Sequence, residues 1–396
     1  MNVLVLSHMY PNQENEISGI FVQEQILALK KRGIQVVVLS SKPWLPDGFR
    51  SLLSRKGRNF DIPLDENRES IQVYYPRYLS FPRNFLLSTA GYRVFCGIKD
   101  KAVELHEKFN FDLIHAHAAI PDGFAAMLLA RELDIPFVVT IHGLDFYQTL
   151  HRNQLLKKQV ENVLGRSSAA VVVSDVLKRR GEKHLRENLP FHVVRNGINP
   201  ENVLVRPGDT GHREGEKIVL SVSNLIERKG IQYVIHALGS LRNEIDNLKY
   251  IIVGDGPYRI HLERLIQELN LEQIVEFTGR KDHNKTMQYM AACDVFVLPS
   301  WDEAFGIVYI EAMALGKPVI GCKGEGIEDF VEDNVTGFLV KPKDIQSLIE
   351  TIGNVLKNPE KITEIGEKAQ KHVLENFTWK KNAQEMIRIY EEIVNA

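Results

Sequence analysis

Three cysteines in 396 residues are too few, and too scattered, to staple a fold. Cys96, Cys293 and Cys322 form no C-x-x-C pair, which argues against a disulfide framework or a thiolate metal site and fits a reducing compartment. Long apolar runs are missing too. No stretch approaches the ~18 residues that a membrane span needs. The N-terminal "MNVLVLSHMYPNQ" lacks the basic n-region and the apolar length of a signal peptide, so we expect a cytoplasmic protein. No G-x-G-x-x-G occurs, which disfavours an NAD-dependent oxidoreductase. No D-x-D occurs, so the usual sequence cue for a metal-bound diphosphate is absent. The basic surplus of the first half is small and no nucleic-acid-binding motif is present, so nucleic acid is not an expected partner.

What is there is an ordinary globular composition, 44% hydrophobic and 25% charged, in a chain too long for one core. Charge is unevenly spread: residues 1–200 carry 26 Lys+Arg against 20 Asp+Glu, and residues 201–396 carry 23 against 31. The two halves are expected to meet different partners. In the first half "VLVLS", "QVVVLS", "FDLIHAH", "PFVVTIH" and "AAVVVS" read as strands with helical stretches between them. Nearly continuous apolar runs mean strands covered on both faces, hence parallel sheets built from βαβ units. The second half restarts the pattern with "KIVLSVSN", "LKYIIVGDG", "IVEFTGR", "DVFVLPS", "KPVIGC" and "TGFLV". Between them Asn196 to Glu216 is rich in Gly, Pro and charge and reads as a linker. The expected fold is α/β, with two Rossmann-like domains whose parallel sheets face a central cleft.

Chemistry concentrates in "PSWDEAFGIVYIEAMALGKPVIG", Pro299 to Gly321. A strand over Asp294–Leu298 leads through a loop into a helix that ends at Leu315, stopped by Gly316 and Pro318. Glu303 then lies at the carboxyl edge of the sheet, beside a helix N-terminus with unpaired N–H groups. Glu311 stands two turns down among Ile307, Val308, Ile310, Met313 and Leu315. A buried charge there requires a polar partner; otherwise Glu311 occupies a thin exposed stripe. In "SVSNLIERKGIQ" Arg228 and Lys229 meet another helix start, a site for a diphosphate or simply a solvated basic turn. Gly19 opens the first helix and lets a phosphate approach the backbone. "GDGP", Gly254 to Pro257, marks a tight turn. His142, in "TIHGLD", ends a strand on the cleft side. His115 and His117 end another strand, but no carboxylate cluster accompanies them. Lys42 to Phe95 alternates Trp44, Phe49, Leu52 and Leu53 with Arg50, Arg55, Lys56 and Arg58. Such an insert suits an anionic membrane surface or a lipid-linked acceptor, or else packs on its own domain.

Together these residues resemble one family. "EAFGIVYIE" is E-x7-E, Glu303 to Glu311, followed by "AMALGKPVIG". With the early glycine, "HG.D", "NGI", "N.....KG" and "GDGP", the chain resembles the family 4 glycosyltransferases of the GT-B fold. "HAHAAIPDG" and "GEGIEDFVEDNVTGFLV" resemble the branch that builds teichuronic acid and related bacterial surface polysaccharides. The resemblance implies two domains, 1–198 on the acceptor side, completed by helix 379–396, and 199–378, which binds the nucleotide sugar. Closure about hinges near Asn196–Asn199 and Phe377–Trp379 would assemble the site. It implies a retaining transfer without a metal or other cofactor, from a nucleoside diphosphate sugar, UDP by prevalence, to a glycan or lipid-linked acceptor. A peripheral place on the inner face of the cell membrane follows from the insert.

The resemblance also implies roles. Glu311 would bind the donor ribose and Glu303 the donor sugar. The amides of Phe305, Gly306 and Ile307 would hold sugar and phosphate. Lys229, helped by Arg228, would neutralise the leaving diphosphate, and Asn224 and Arg280 complete the donor set. Gly19 would let its loop close over the phosphate, and His142 would contact the sugar. The catalytic residues are then His142, Glu303 and Lys229, with front-face transfer and the leaving phosphate taking the acceptor's proton. One departure stands out: the family pattern has Arg where this chain has Asn224, and Arg228 is the candidate replacement. The rivals are a nucleotide-sugar 2-epimerase or glycosyl phosphorylase on the same fold, and a non-catalytic scaffold that binds nucleotide sugar or membrane.

Overall fold

The computed structural model describes residues 1–44, 62–81, 85–185, 189–203 and 215–396. Most of the aromatic and basic alternation expected to meet an anionic surface, Phe49, Arg50, Leu52, Leu53, Arg55, Lys56 and Arg58, lies outside those residues. The chain forms two compact units, Met1–Asn196 with Trp379–Ala396, and Gly197–Thr378.

The first unit is built on an eight-stranded sheet. In chain order its strands are β1 (Asn2–Leu6), β2 (Gln35–Leu39), β4 (Asp65–Arg68), β5 (Ile71–Tyr74), β7 (Leu113–His117), β8 (Phe137–Ile141), β9 (Ala169–Val172) and β10 (Phe191–Val193). Their order in space is β10-β9-β8-β7-β1-β2-β5-β4. A separate two-stranded sheet pairs β3 (Lys42–Trp44) with β6 (Arg77–Leu79). Every residue of β7 and β8 is buried, as continuous apolar runs under helices on both faces require. The exception to parallel pairing in the large sheet is β4, antiparallel to β5 at the edge. The chain leaves β1 for β2 on one side, and β7 then takes the other side of β1. The strand order therefore reverses between β1 and β7, which opens a crevice at their carboxyl ends.

The final helix, Trp379–Val394, belongs to this unit and packs on helix Ile20–Lys30. Its polar residues are used, not merely tolerated. Gln25 donates to Asn382 at 2.8 Å, and Asn382 donates to the Arg195 carbonyl at 2.8 Å. Buried Tyr390 shares a 2.6 Å hydrogen bond with His115 Nδ1.

The second unit has six parallel strands: β11 (Lys217–Val222), β12 (Leu248–Val253), β13 (Val275–Gly279), β14 (Val295–Val297), β15 (Val319–Cys322) and β16 (Phe338–Val340). They lie in the order β13-β12-β11-β14-β15-β16, the doubly wound 3-2-1-4-5-6 arrangement. Here the order reverses between β11 and β14. The two ends of this unit meet, because Ile198 pairs in parallel with Thr378 and its N–H donates to the Phe377 carbonyl at 3.0 Å.

Candidate active site

The loops after β11 and β14 converge at the reversal point of the second sheet. After β11 the chain passes Ser223 and Asn224, makes a short 3-10 turn at Glu227–Lys229, and starts helix Ile231–Leu241 on Gly230 at φ 73°. After β14 it passes Ser300 to Phe305 and starts helix Ile307–Ala314 on Gly306 at φ 86°. Gly230 has no room for a side chain, since a Cβ there would stand 2.2 Å from the Pro299 carbonyl oxygen. Only glycine combines that contact with a left-handed backbone, and it ties the two loops together. Trp301 N–H donates to the Arg228 carbonyl at 2.9 Å across the same junction.

Neither helix has a side-chain cap on its first turn, and the same holds for helix Ile20–Lys30, which starts on Gly19 at φ 69°. Four other helices are capped, Asn153, Ser174, Asp282 and Asp344 each accepting from a first-turn amide, while helices Ala90–Phe109, Phe124–Leu133, Arg259–Glu268 and Pro359–Asn376 also lack a side-chain cap. A glycine start without a cap leaves first-turn amides and their partial positive charge available to an anion. The three glycine starts lie at the points where the strand order reverses.

Lys229 and Glu303 face each other between these helix starts, Nζ to Oε2 at 2.5 Å, with side chains only 14% and 15% exposed. Ser300 donates to the same Oε2 at 3.2 Å. Burial alone would push the Glu303 carboxyl up. The Lys229 charge, the Lys229 hydrogen bond, Arg228 and Ser300 outweigh it and hold the group below its ordinary range. Arg228 Nη1 donates to the Asp302 carbonyl at 2.9 Å, so the guanidinium is anchored on the Glu303 loop. A second carboxylate braces this loop. Glu303 N–H donates to Glu325 Oε2 at 2.8 Å, and Gly326 N–H donates back to the Glu303 carbonyl at 2.9 Å. Burial pushes the Glu325 carboxyl up to about 7.

The other expected donor residues are placed as follows. Phe305 is buried against Phe330 and Phe377, so its ring is core and only its backbone faces the loop. Of the two outcomes open for Glu311, the stripe is the one present, and a histidine stands near the carboxylate. Ile307, Val308, Glu311 and Leu315 form one half-open stripe, while Tyr309, Ile310 and Ala312–Ala314 are buried. The Glu311 side chain is 18% exposed, with Oε1 3.8 Å from His283 Nδ1. The stripe exists because a short helix on a sheet edge cannot be covered on every side. Asn224 and Arg280 are exposed, and neither makes a side-chain hydrogen bond or ion pair among the described residues.

Gly19 and His142 belong to the first unit. A Cβ on Gly19 would meet the Met9 carbonyl oxygen at 2.0 Å, so the loop after β1 folds back onto the start of helix Ile20–Lys30. Phe21 then packs against His142, with ring centroids 4.5 Å apart and planes tilted by 49°. His142 Nε2 and His117 Nδ1 are 3.0 Å apart, and His142 Nδ1 and His117 Nε2 are buried without a hydrogen bond among the described residues. Burial pushes His142 down to about 3, which keeps it neutral.

Two carboxylate partners escaped the sequence reading. Glu325 lies 22 residues from Glu303, and Asp122 lies 114 residues from His8, with which it pairs. The signal that finds both is positional: each acid lies in the loop after a strand, Asp122 after β7 and Glu325 after β15.

Solved structures with this architecture span the whole chain. Sucrose-phosphate synthase from Thermosynechococcus elongatus matches with a TM-score of 0.83 at 22% identity, over 100% of this chain and 99% of that one. Anabaena Alr3699/HepE in complex with UDP and glucose matches at 0.76 and 22%, over 99% and 100%. Two doubly wound α/β units of this kind define the GT-B class of glycosyltransferase folds. The family models described as Glycosyltransferase Family 4 and Glycosyl transferases group 1 match residues 18–202 and 206–372. N-acetyl-alpha-D-glucosaminyl L-malate synthase of Bacillus anthracis is 30% identical over 305 residues, 75% of this chain and 79% of that protein. TuaC of Bacillus subtilis (strain 168), named for teichuronic acid biosynthesis, is 28% identical over 401 residues, 99% of each. The chain belongs to the family 4 glycosyltransferases.

Proposed function

We propose that this chain is a retaining, metal-independent glycosyltransferase. It moves a hexosyl group from a nucleoside diphosphate sugar, a UDP-sugar, to a lipid-linked bacterial surface glycan. The observation that carries the reading is the Lys229–Glu303 pair, set between two uncapped glycine helix starts at the reversal of the second sheet. Breaking the bond to the anomeric carbon puts negative charge on the diphosphate and positive charge on the sugar ring. Lys229, Arg228 and the amides of Phe305, Gly306 and Ile307 supply fixed positive charge for the first, which is why no metal is needed. Glu303 holds the sugar hydroxyls, and Glu311 takes the ribose hydroxyls from its half-open stripe. Asn224 and Arg280, which have no side-chain partner among the described residues, complete the donor set. In the first unit Gly19 lets its loop approach phosphate and His142 contacts the sugar.

Support for the nucleotide comes from Alr3699/HepE, solved with UDP, glucose and UDP-glucose, and support for the acceptor class from the name of TuaC. A thermal-shift screen against UDP, GDP, ADP and their common sugars tests the donor. A UDP nucleotide should raise the melting temperature of the wild type and fail to do so with Glu311→Ala. A wild type that no nucleotide stabilises would overturn the reading.

The acceptor side carries a second expected result. Leu64, Phe85, Leu86 and Tyr92 are exposed large apolar side chains within the 42–95 insert, and in the first half they accompany a basic surplus. No helix among the described residues is long and apolar enough to cross a membrane. Peripheral binding is the consistent reading, and the protein should co-sediment with anionic liposomes at low salt and be released as salt rises. Failure to co-sediment would remove the membrane from the acceptor description.

A further inference from the structure

The carboxylate of Glu325 ends where two consecutive amides of the Glu303 loop point. Glu325 lies after β15, at the start of the 3-10 turn Gly326–Asp329. Its Oε2 accepts the Glu303 N–H at 2.8 Å, and the Asp302 amide donates to the same carboxylate. Successive main-chain N–H groups aimed at one point make an anion-binding concavity, and here the chain fills it with its own acid. Asp302 has φ 54°, a left-handed backbone that a non-glycine residue keeps only where its surroundings hold it.

The two loops are also joined at the level of the main chain. Gly326 N–H donates to the Glu303 carbonyl at 2.9 Å. A Cβ on Gly326 would stand 2.3 Å from the Ala304 carbonyl oxygen and 2.6 Å from Phe305 Cα, so the two backbones are in direct contact. Glu303 is thus held from both ends. Lys229 and Ser300 hold its carboxylate, and Glu325 holds the amide of the residue from which that carboxylate projects.

We propose that Glu325 is a positioning residue for sugar transfer: its ionised carboxylate holds the Asp302 and Glu303 amides and so fixes the direction in which Glu303 meets the donor sugar. The proposal rests on the glycosyl-transfer reading, and every group in it belongs to the second unit. Glu325 acts through Glu303 and not on the sugar itself. Protonation turns one carboxylate oxygen into a donor, and a glutamine amide does likewise, so either change weakens the hold on the two N–H groups.

The groups around Glu325 set where protonation falls. Burial pushes the carboxyl up to about 7 against the pull of the two amides, and the Asp302 and Glu303 carboxylates add to the rise. Cys322 and Tyr309 also feel its charge, and both stay neutral: burial pushes the thiol up to about 12 and the phenol well above its ordinary value. In its own loop Lys323 pairs with Asp333 at 3.2 Å, and Glu328 accepts from the Gly324 amide at 2.8 Å. The sign for stability is opposite to the sign for positioning. The fold keeps this proton up to about 7 and the unfolded chain only up to the ordinary value of 4.5. The stabilising contribution of the group is therefore complete below 4.5 and is lost as pH rises through about 7. Ionised Glu325 is costly to the fold and useful to the site.

The test compares wild type with Glu325→Gln over pH 5.5 to 9. It follows UDP release from UDP-glucose to water, the thermal shift given by UDP, and hydrogen exchange of the amides in residues 301–305. Glu325→Gln should keep the UDP shift and a KM for UDP-glucose within about threefold, while kcat at pH 8 falls about 10- to 10²-fold, the scale of a displaced group in a positioned site. The 301–305 amides should exchange faster at that pH. The melting temperature should be no lower than that of wild type, because a costly charge has gone. Wild-type kcat should step down toward the level of the variant as pH falls through about 7, and the variant should show no such step. The wild-type step requires no substitution, so it tests the proposal even where the variant fails to fold. A kcat for Glu325→Gln within about threefold of wild type, unchanged exchange at 301–305, or a wild-type kcat without a step in this range would each overturn the proposal. So would a loss of kcat that comes with a lower melting temperature and a lost UDP shift, the pattern of a merely structural acid, and a wild type that binds UDP yet releases none from UDP-glucose. A wild type that UDP does not stabilise would instead overturn the donor reading beneath it.

Discussion

Lys229→Ala is expected to lower sugar transfer about 10²- to 10³-fold at saturating donor, the cost of removing one preorganised group from a developing anion. Lys229 is 14% exposed and sits 2.5 Å from Glu303, so the variant removes the cation proposed for the leaving group and also strands an acid. Without that cation, burial dominates at Glu303 and its carboxyl rises toward or above its ordinary value. The stability consequence has a definite sign. In the wild type the Glu303 pKa is depressed, so its contribution is present above the ordinary carboxylate pKa and lost as pH falls through the folded value. The variant loses that contribution, so its melting temperature should fall more at pH 7 than at pH 4. Lys229→Arg keeps the charge and should retain part of both properties. Transfer within about threefold of wild type in Lys229→Ala would remove Lys229 from the leaving group.

The doubly wound core was legible because parallel strands buried on both faces spell continuous apolar runs. "VLVLS", "FDLIHAH" and "PFVVTIH" cover strands that are almost wholly buried. The strand β4 was not legible: "DENR" alternates exposed and half-buried residues at the edge of the sheet, where no apolar pattern is required. β3 and β6 are three-residue strands paired outside the main sheet, too short to show a period.

The site divides along a similar line. Lys229, Glu303 and Gly306 were legible because each lies within a few residues of a glycine that starts a helix after a strand, and local sequence encodes that geometry. Arg228 was ambiguous in the sequence, and its hydrogen bond to the Asp302 carbonyl, 74 residues away, is a contact no local pattern encodes. Glu325 and Asp122 were illegible because their partners come from other loops, and only the strand order brings those loops together. For Glu311 the sequence left two outcomes open, a buried acid with a polar partner or a stripe. Its neighbours in sequence are apolar, but a half-open stripe on the helix leaves its carboxylate in reach of water and of His283.

Gly306→Ala is expected to cost nucleotide binding as much as any single-atom change in the second unit can. Gly306 has φ 86°, and an added Cβ would stand 2.5 and 2.6 Å from two atoms of the Tyr309 ring. That ring cannot retreat. Tyr309 is 1% exposed, its hydroxyl donates to the Leu298 carbonyl and lies 3.2 Å from Ser300 Oγ, and the Phe296 and Phe330 rings pack against it at 5.7 and 6.3 Å between centroids. The backbone must move instead, and the Phe305, Gly306 and Ile307 amides move with it. Left-handed strain and the clash together should cost about 2–3 kcal/mol, which for a unit of this size is roughly 5–10 °C in melting temperature. The amides should lose their alignment on phosphate, and the UDP-induced shift should disappear. Gly316→Ala separates strain from displacement. Gly316 ends the same helix at φ 72°, and its added Cβ would meet nothing closer than 3.9 Å. That variant should lose about 1 kcal/mol and keep the UDP response. Equal loss of the response in both variants would mean that general destabilisation of the helix, and not the placement of three amides, governs nucleotide binding.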